Sequence, residues 1–476
     1  MELLFESRTN LSDFRGHLNF VQHRPSIHPE PVVVPDTFSD GKGLSIYGSV
    51  HRDAGKLRMW YLAMPEDWDY KADMSSNAYA ESDDGIHWRK PALDIVKHGP
   101  GPNNLLNLSL HCPSVFIDPA APPTHRYRAT GCGYPGLFMA HPDIKEMGYY
   151  TAHSADGLHW QLDSATPRWN SADVITSIYH PWQKRAIIAM KYTPRVNRML
   201  RRSIHTAELR DGEYSDAVSA LYADEFDDAC AASRGHASCD YYGMGMQAAG
   251  SGTVGFLWNY WHDLPYTGAI GSYVALYGIS DVTLVYQPER GGRWFHVPGR
   301  PDFMHHKAAP WMDGWINTAS CPIEMGDEHW LYFSCCNISH GFYLNESWQP
   351  IDRWTGWTTR HGRGSIGFAH WPKWRLFGFE SDPEGSFAID LGVIDRPSEL
   401  LLNYTTKPDG CVRVELPNVP GRSIVEAVPL TGQHIAAPAA WKDGTTIPPS
   451  AGKRVQAKLH LDVAAVYAYE VRPKQA

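Results

Sequence analysis

No run of Lys or Arg in the 476 residues is longer than two, and 52 Asp and Glu outnumber 43 Lys and Arg, for a formal net charge of -9. A chain without a basic stripe is not built for nucleic acid or for an anionic membrane surface, so neither is expected as a partner. No apolar stretch reaches the roughly 18 residues of a membrane span. The opening segment MELLFESRTNLSDFRG has acids and an Arg where a secretory leader needs a basic start and an apolar core. The expected compartment is therefore the cytoplasm. Eight cysteines (Cys112, Cys132, Cys230, Cys239, Cys321, Cys335, Cys336, Cys411) are too sparse for a disulfide scaffold and lack CxxC spacing, which leaves mostly unpaired, buried thiols. Long 3.6-residue periodicity is also missing, so the chain is expected to be all-β.

What is abundant is aromatic: 12% of residues, 18 of them Trp. Such rings pack between sheets and stack on sugars. They sit within a repeat. SIYGSVHR (45–52), CPSVFIDP (112–119), VITSIYHP (174–181), YGMGMQAA (242–249) and NTASCPIE (317–324) are each followed by a short turn and a second apolar strand. With Val50, Val115, Ile178, Met246 and Cys321 as equivalents, the period is roughly 63 to 75 residues, enough for a four-stranded unit plus loops. Third strands run into SDDGIHW (82–88) and SADGLHW (154–160), where Asp-Gly makes a tight turn and Trp packs back between units. After about Asp390 the segments become short and alternating, as in CVRVEL and VQAKLHLD, the pattern of a small β-sandwich. The expected organisation is an N-terminal extension over 1–30, which caps the repeat unit or gives its last unit a closing strand, a five-bladed β-propeller over 31–389 and a β-sandwich over 390–476.

Five repeats, the two Ser-x-Asp-Gly-x-x-Trp turns, GDEHWLYF (326–333) and a trailing sandwich with DGCVRVEL together resemble the five-bladed propeller glycoside hydrolases. The arabinanase/xylosidase and invertase/levanase groups are of this kind, as is an uncharacterised bacterial group similar to them. The resemblance covers nearly the whole chain and implies glycosidic bond hydrolysis by paired carboxylates in a pocket on the propeller axis, on a carbohydrate substrate and with no cofactor. A lyase, a transglycosidase or a non-catalytic sugar-binding propeller are the alternatives, since a fold by itself implies no activity.

Residues at or just before the innermost strands are the candidates. Asp173 and Asp240 directly precede apolar strand residues, and Asp40 opens the first repeat; these three are the expected catalytic acids. His111 and Asp313 occupy corresponding positions in other repeats and are expected to contact substrate, with Arg300, His306, Trp311 and His340 reaching in from loops. The relatives' proton donor is a Glu in a Glu-Gly-Pro or Glu-Cys-Pro string, and this chain has none; the nearest matches are His111-Cys112-Pro113 and Ser320-Cys321-Pro322. An Asp, Glu324 or Glu225 from a loop, or His111 is left as the acid. Adjacent His305 and His306 should point apart in an extended strand and match no ligand spacing, so no metal is expected. The acids of DEFDDA (224–229) read as a solvated loop.

Overall fold

The computed structural model describes residues 1–5, 8–68, 76–193, 201–262, 278–336, 340 and 364–474. The fold is all-β, with six antiparallel sheets among the described residues. Five of them follow one another along the chain. The first contains Gly43–Asp53, Lys56–Met64, Asn77–Ser82 and Trp88–Arg89, and the second His111–Ile117, Tyr127–Gly133, Gly148–Ser154 and Gln161–Leu162. The third is built on Ile175–His180, Arg185–Tyr192 and Ser203–Arg210, and the fourth on Ser238–Ala249, Gly252–His262 and Gly278–Gln287. Trp315–Thr318, Glu328–Cys336 and Ser365–Pro372 form the fifth, and Ser26–Ile27 adds its outer strand.

Hydrogen bonds link the first strands of these sheets into a closed ring. Val115 N–H donates to Ser49 Oγ at 2.9 Å, Ser177 N–H to Ser114 Oγ at 2.8 Å, and Thr176 Oγ1–H to the Met244 carbonyl. Met246 N–H then donates to the Ser320 carbonyl at 2.8 Å, and Ser320 N–H to the Gly48 carbonyl at 3.0 Å. The strands approach so closely because the residues between them are small. A Cβ at Gly245 would lie 2.5 Å from Thr318 Oγ1 and 2.7 Å from the Ala319 carbonyl.

The repeated turn has a common geometry. Ser82 Oγ accepts from Gly85 N–H at 2.9 Å, Asp84 Oδ1 accepts from Ile86 and His87 N–H, and Trp88 Nε1 donates to the Gly85 carbonyl. Ser154, Asp156, Gly157 and Trp160 repeat this set bond for bond. Positive φ values of +82° and +77° suit Gly85 and Gly157, which lack the Cβ that would clash there.

The sixth sheet gathers both ends of the chain. Leu11–Gln22, Phe377–Val393, Arg454–Pro473, Ser398–Glu415 and Gln433–Pro438 lie side by side, and Glu2–Leu3 pairs with Arg454–Pro473. In place of two separate sheets, these strands form one hydrogen-bonded sheet, with register breaks between Glu380 and Glu384 and between Thr406 and Cys411. Breaks of this kind bend a sheet and sharpen its twist, so long strands can curl around their own apolar cluster, here Phe387, Leu402, Val414, Trp441 and Leu459. This sheet packs against the fourth: Phe5 stacks on Tyr286 at 4.8 Å, with Phe377 beside both. All eight cysteines are free thiols, and no described helix is long and apolar enough to cross a membrane.

The DEFDDA segment is a helix over Glu225–Ser233 rather than a loop. Asp224 caps it by accepting from Phe226 and Asp227 N–H, while Asp227 returns the bond to Asp224 N–H. That reciprocal cap is written in the sequence as an acid three residues ahead of an acid.

Candidate active site

Six polar side chains stand where strands of the second, third and fourth sheets begin or end at one edge: His111, Asp173, Lys191, Arg202, Asp240 and His262. They form one connected cluster. His111 Nε2 donates to Asp173 Oδ1 at 3.1 Å, and Lys191 Nζ pairs with Asp173 Oδ2. Tyr242 Oη donates to that same Oδ2 at 2.9 Å, and Lys191 Nζ lies 3.6 Å from the centre of the Tyr242 ring. The Arg202 guanidinium sits over Tyr242 at 4.9 Å and Tyr260 at 4.8 Å and reaches Asp240 Oδ1 at 3.3 Å. Asp240 Oδ2 also pairs with His262 at 3.3 Å. On the far side of Tyr242, His340 bonds both Tyr242 and Tyr260 and stacks on Trp315 at 4.1 Å.

The backbone is strained here. Asp173 and Cys112 have φ of +89° and +50°, a region non-glycine residues rarely occupy, and Cys112 Sγ is 3.9 Å from Asp173 Oδ1. Such strain costs of the order of 1–3 kcal/mol per residue and gathers at functional sites.

Charge assignments follow from the neighbours. Burial alone would raise Asp173, but Lys191 and His111 outweigh it and hold the carboxyl well below its ordinary range. Burial would likewise lower His111. Cys112 and Asp173 raise it well above its usual value, and since burial holds the Cys112 thiol at about 11, the Asp173 carboxylate is the effective cause at neutral pH. Asp240 is held at about 2, burial being overcome by Arg202 and His262. Neither acid stores a proton. His111 keeps its proton.

Exposure separates the two acids. The Asp173 side chain is 21% exposed and His111 11%, whereas Asp240 is 1% exposed and enclosed by its cations. Half-buried Tyr47 and Tyr134 flank His111, with ring centres 6.4 and 5.8 Å away. One ligand atom from each of His111, Cys112 and Asp173 lies within 4.8 Å of the others, a grouping that would suit a metal. The thiol and the imidazole both carry protons there, and Lys191 already occupies one oxygen of the carboxylate.

The other candidates lie elsewhere. Asp40 is fully enclosed and bonds Thr37, Tyr61 and Lys90. Arg300 is tied to Asp224 and Asp227 at the start of the helix. Trp311 packs against Phe333 in the core. His306 is held by Asp281, Asp313 is exposed beside Lys307, and Glu324 is exposed and paired with Lys373. His305 and His306 do not point apart: the strand ends at Met304, the chain turns, and the two rings stack at 4.2 Å.

Sequence reasoning missed Lys191, Arg202, Tyr242 and His262. A faint signal was present, since Lys191 and His262 close otherwise apolar second strands, RAIIAMKY and GTVGFLWNYWH. Their pairing with the acids at the head of the neighbouring first strand was not in it.

The chain is similar in structure to solved glycoside hydrolases and to a solved deacetylase. One, described only as a glycoside hydrolase, is 11% identical with a TM-score of 0.44, the match covering 73% of this chain and 92% of that one. An exo-inulinase from Aspergillus awamori is 12% identical with a TM-score of 0.41, over 93% and 99%. An N-acetylgalactosamine deacetylase from F. plautii, in complex with blood group B trisaccharide, is 12% identical with a TM-score of 0.45, over 75% and 96%. No family model matches the chain, and no curated protein does. Likeness this slight carries no functional argument, which has to come from the cluster itself.

Proposed function

We propose that the protein is a glycoside hydrolase whose proton donor is the His111 imidazolium, held charged by Asp173. The five ring-linked sheets are read as a five-bladed propeller, and the sixth sheet, curled on itself, as the accompanying sandwich. The domain limits then shift from the sequence expectation: most of 1–30 and the segment from Phe377 onward belong together. Contact between a charged imidazole and an ionised, partly exposed carboxylate carries the reading. Tyr47 and Tyr134 beside it offer faces on which the apolar side of a sugar ring can stack.

In this mechanism His111 gives its proton to the departing glycosidic oxygen as the bond to the anomeric carbon breaks. Asp173 stabilises the positive charge developing on the sugar. Water then adds to that carbon, and the proton it sheds returns to His111. Asp240 does not meet substrate; it positions Arg202, which supports Tyr242.

A panel of aryl glycosides and oligosaccharides tests this. Release of aglycone or reducing sugar by the native protein, with a loss of about 100- to 10,000-fold in His111→Asn, is expected. Full turnover by both His111→Asn and Asp173→Asn, or no turnover of any panel member, would reject it. Buried Lys191 and Arg202 favour one other reading, a lyase acting on an acidic sugar. It would be recognised by an ultraviolet-absorbing unsaturated product and no uptake of water.

A further inference from the structure

A cavity of about 490 Å³ is lined by residues that include Arg234, His236, His305, His306, Lys307 and Asp313. It draws on the end of the helix and the turn after Met304, and none of these residues belongs to the central cluster. The question is what such a wall would bind. Its two strong cations are already matched: Arg234 is bound to Asp302 through both nitrogens at 2.9 Å and reaches Asp281 at 3.3 Å, and Lys307 pairs with Asp313. Little positive charge is left over for an anion.

The imidazoles are arranged differently. Asp281 is fully buried and fixed on one oxygen by Trp261 Nε1 at 2.7 Å and on the other by His306 N–H at 2.7 Å. That second oxygen also accepts from His306 Nδ1 at 2.8 Å. His305 Nδ1 accepts from Lys307 N–H at 3.1 Å. Both rings therefore use Nδ1 on the protein while lining the cavity, which leaves Nε2 of each for a ligand in it. The stacked rings stand 4.2 Å apart, and one ligand atom from each of Asp281, His305 and His306 lies within 4.8 Å of the others. A carboxylate behind a histidine, setting its tautomer and raising its basicity, is the usual support of a metal-bound imidazole.

We propose that His305 and His306 bind a divalent transition metal of the zinc class through Nε2, with Asp281 as the positioning residue behind His306. His236 or Asp313, on the same wall, supplies a third ligand, and water completes a four-coordinate site. Neutral imidazoles suit zinc, whereas magnesium and calcium prefer oxygen.

The full chain, stripped with a chelator and titrated calorimetrically with Zn²⁺ alone, tests the assignment. One ion per chain is expected, with affinity reduced at least about tenfold in His305→Ala and in His306→Ala, and about 10- to 100-fold in Asp281→Asn. Because Asp281 is buried, the decision rests on the two histidine variants, whose circular dichroism should match the native protein. Zn²⁺ should raise Tm in the native chain and not in His305→Ala. His111→Asn separates this site from the central cluster and should bind Zn²⁺ as the native chain does. No bound zinc, binding that survives both histidine changes, or binding lost in His111→Asn instead would each overturn the proposal, and none of these outcomes bears on glycoside hydrolysis.

Discussion

His111 and Asp173, from neighbouring sheets and 62 residues apart in sequence, meet at 3.1 Å with Lys191 on the carboxylate's other oxygen. This contact makes the imidazole a cation and keeps the acid ionised.

It gives activity a pH signature. His111 has a raised pKa, so the active, protonated form is present at neutral pH and is lost as pH rises through that value. Asp173→Asn removes the charge that holds the proton. The alkaline limb of kcat/KM should then move to lower pH, and an unmoved limb would mean that the limb is not set by His111.

Asp240 should behave as a structural acid. Asp240→Asn leaves Arg202 buried without its carboxylate, a loss of about 3–5 kcal/mol that urea unfolding would measure. A fully stable variant would show that the pair contributes little.

The same residue links stability to acid. Asp240 is held at about 2 when folded, against an ordinary value of 3.8, so its contribution is present above 3.8 and disappears as pH falls through 2. The shift corresponds to about 2 kcal/mol. Unfolding free energies taken at intervals from neutral pH down to that range should fall less steeply in Asp240→Asn than in the native chain.

Close approach at the ring is testable with one methyl group. Gly245→Ala puts a Cβ against Thr318 Oγ1 and the Ala319 carbonyl and should cost about 1–3 kcal/mol. At Gly101 a Cβ meets nothing within 4 Å, so Gly101→Ala is the control, and equal Tm values for the two would contradict the packing described.

The turn motif should matter for stability alone. Ser154→Ala strips the acceptor from Asp156 and Gly157 N–H and loosens a turn whose Gly157 carbonyl receives Trp60 Nε1 from the first sheet at 2.7 Å. A loss of about 1–3 kcal/mol with kcat unchanged is expected from denaturant unfolding and steady-state assays.

The repeat was legible because it is local: paired apolar strands at a regular spacing, and a Ser-x-Asp-Gly turn that satisfies its own backbone within four residues. Asp173 and His111 could be singled out for the same reason, each standing at the head of an apolar strand. The helix at Glu225 is just as local, but a cap made of one acid three residues ahead of another does not stand out in a segment that is mostly acids. Charge states were a different matter. Asp173 and Asp240 look alike in sequence, and only the fold puts Lys191 and a proton-bearing His111 on the first while closing Arg202 and His262 around the second. In the same way, two adjacent histidines that would diverge in a strand share one face because the chain turns after Met304. Strand pattern is set by neighbours in the chain, whereas a carboxylate's charge, exposure and role are set by groups that only the closed ring of sheets brings within a few ångströms.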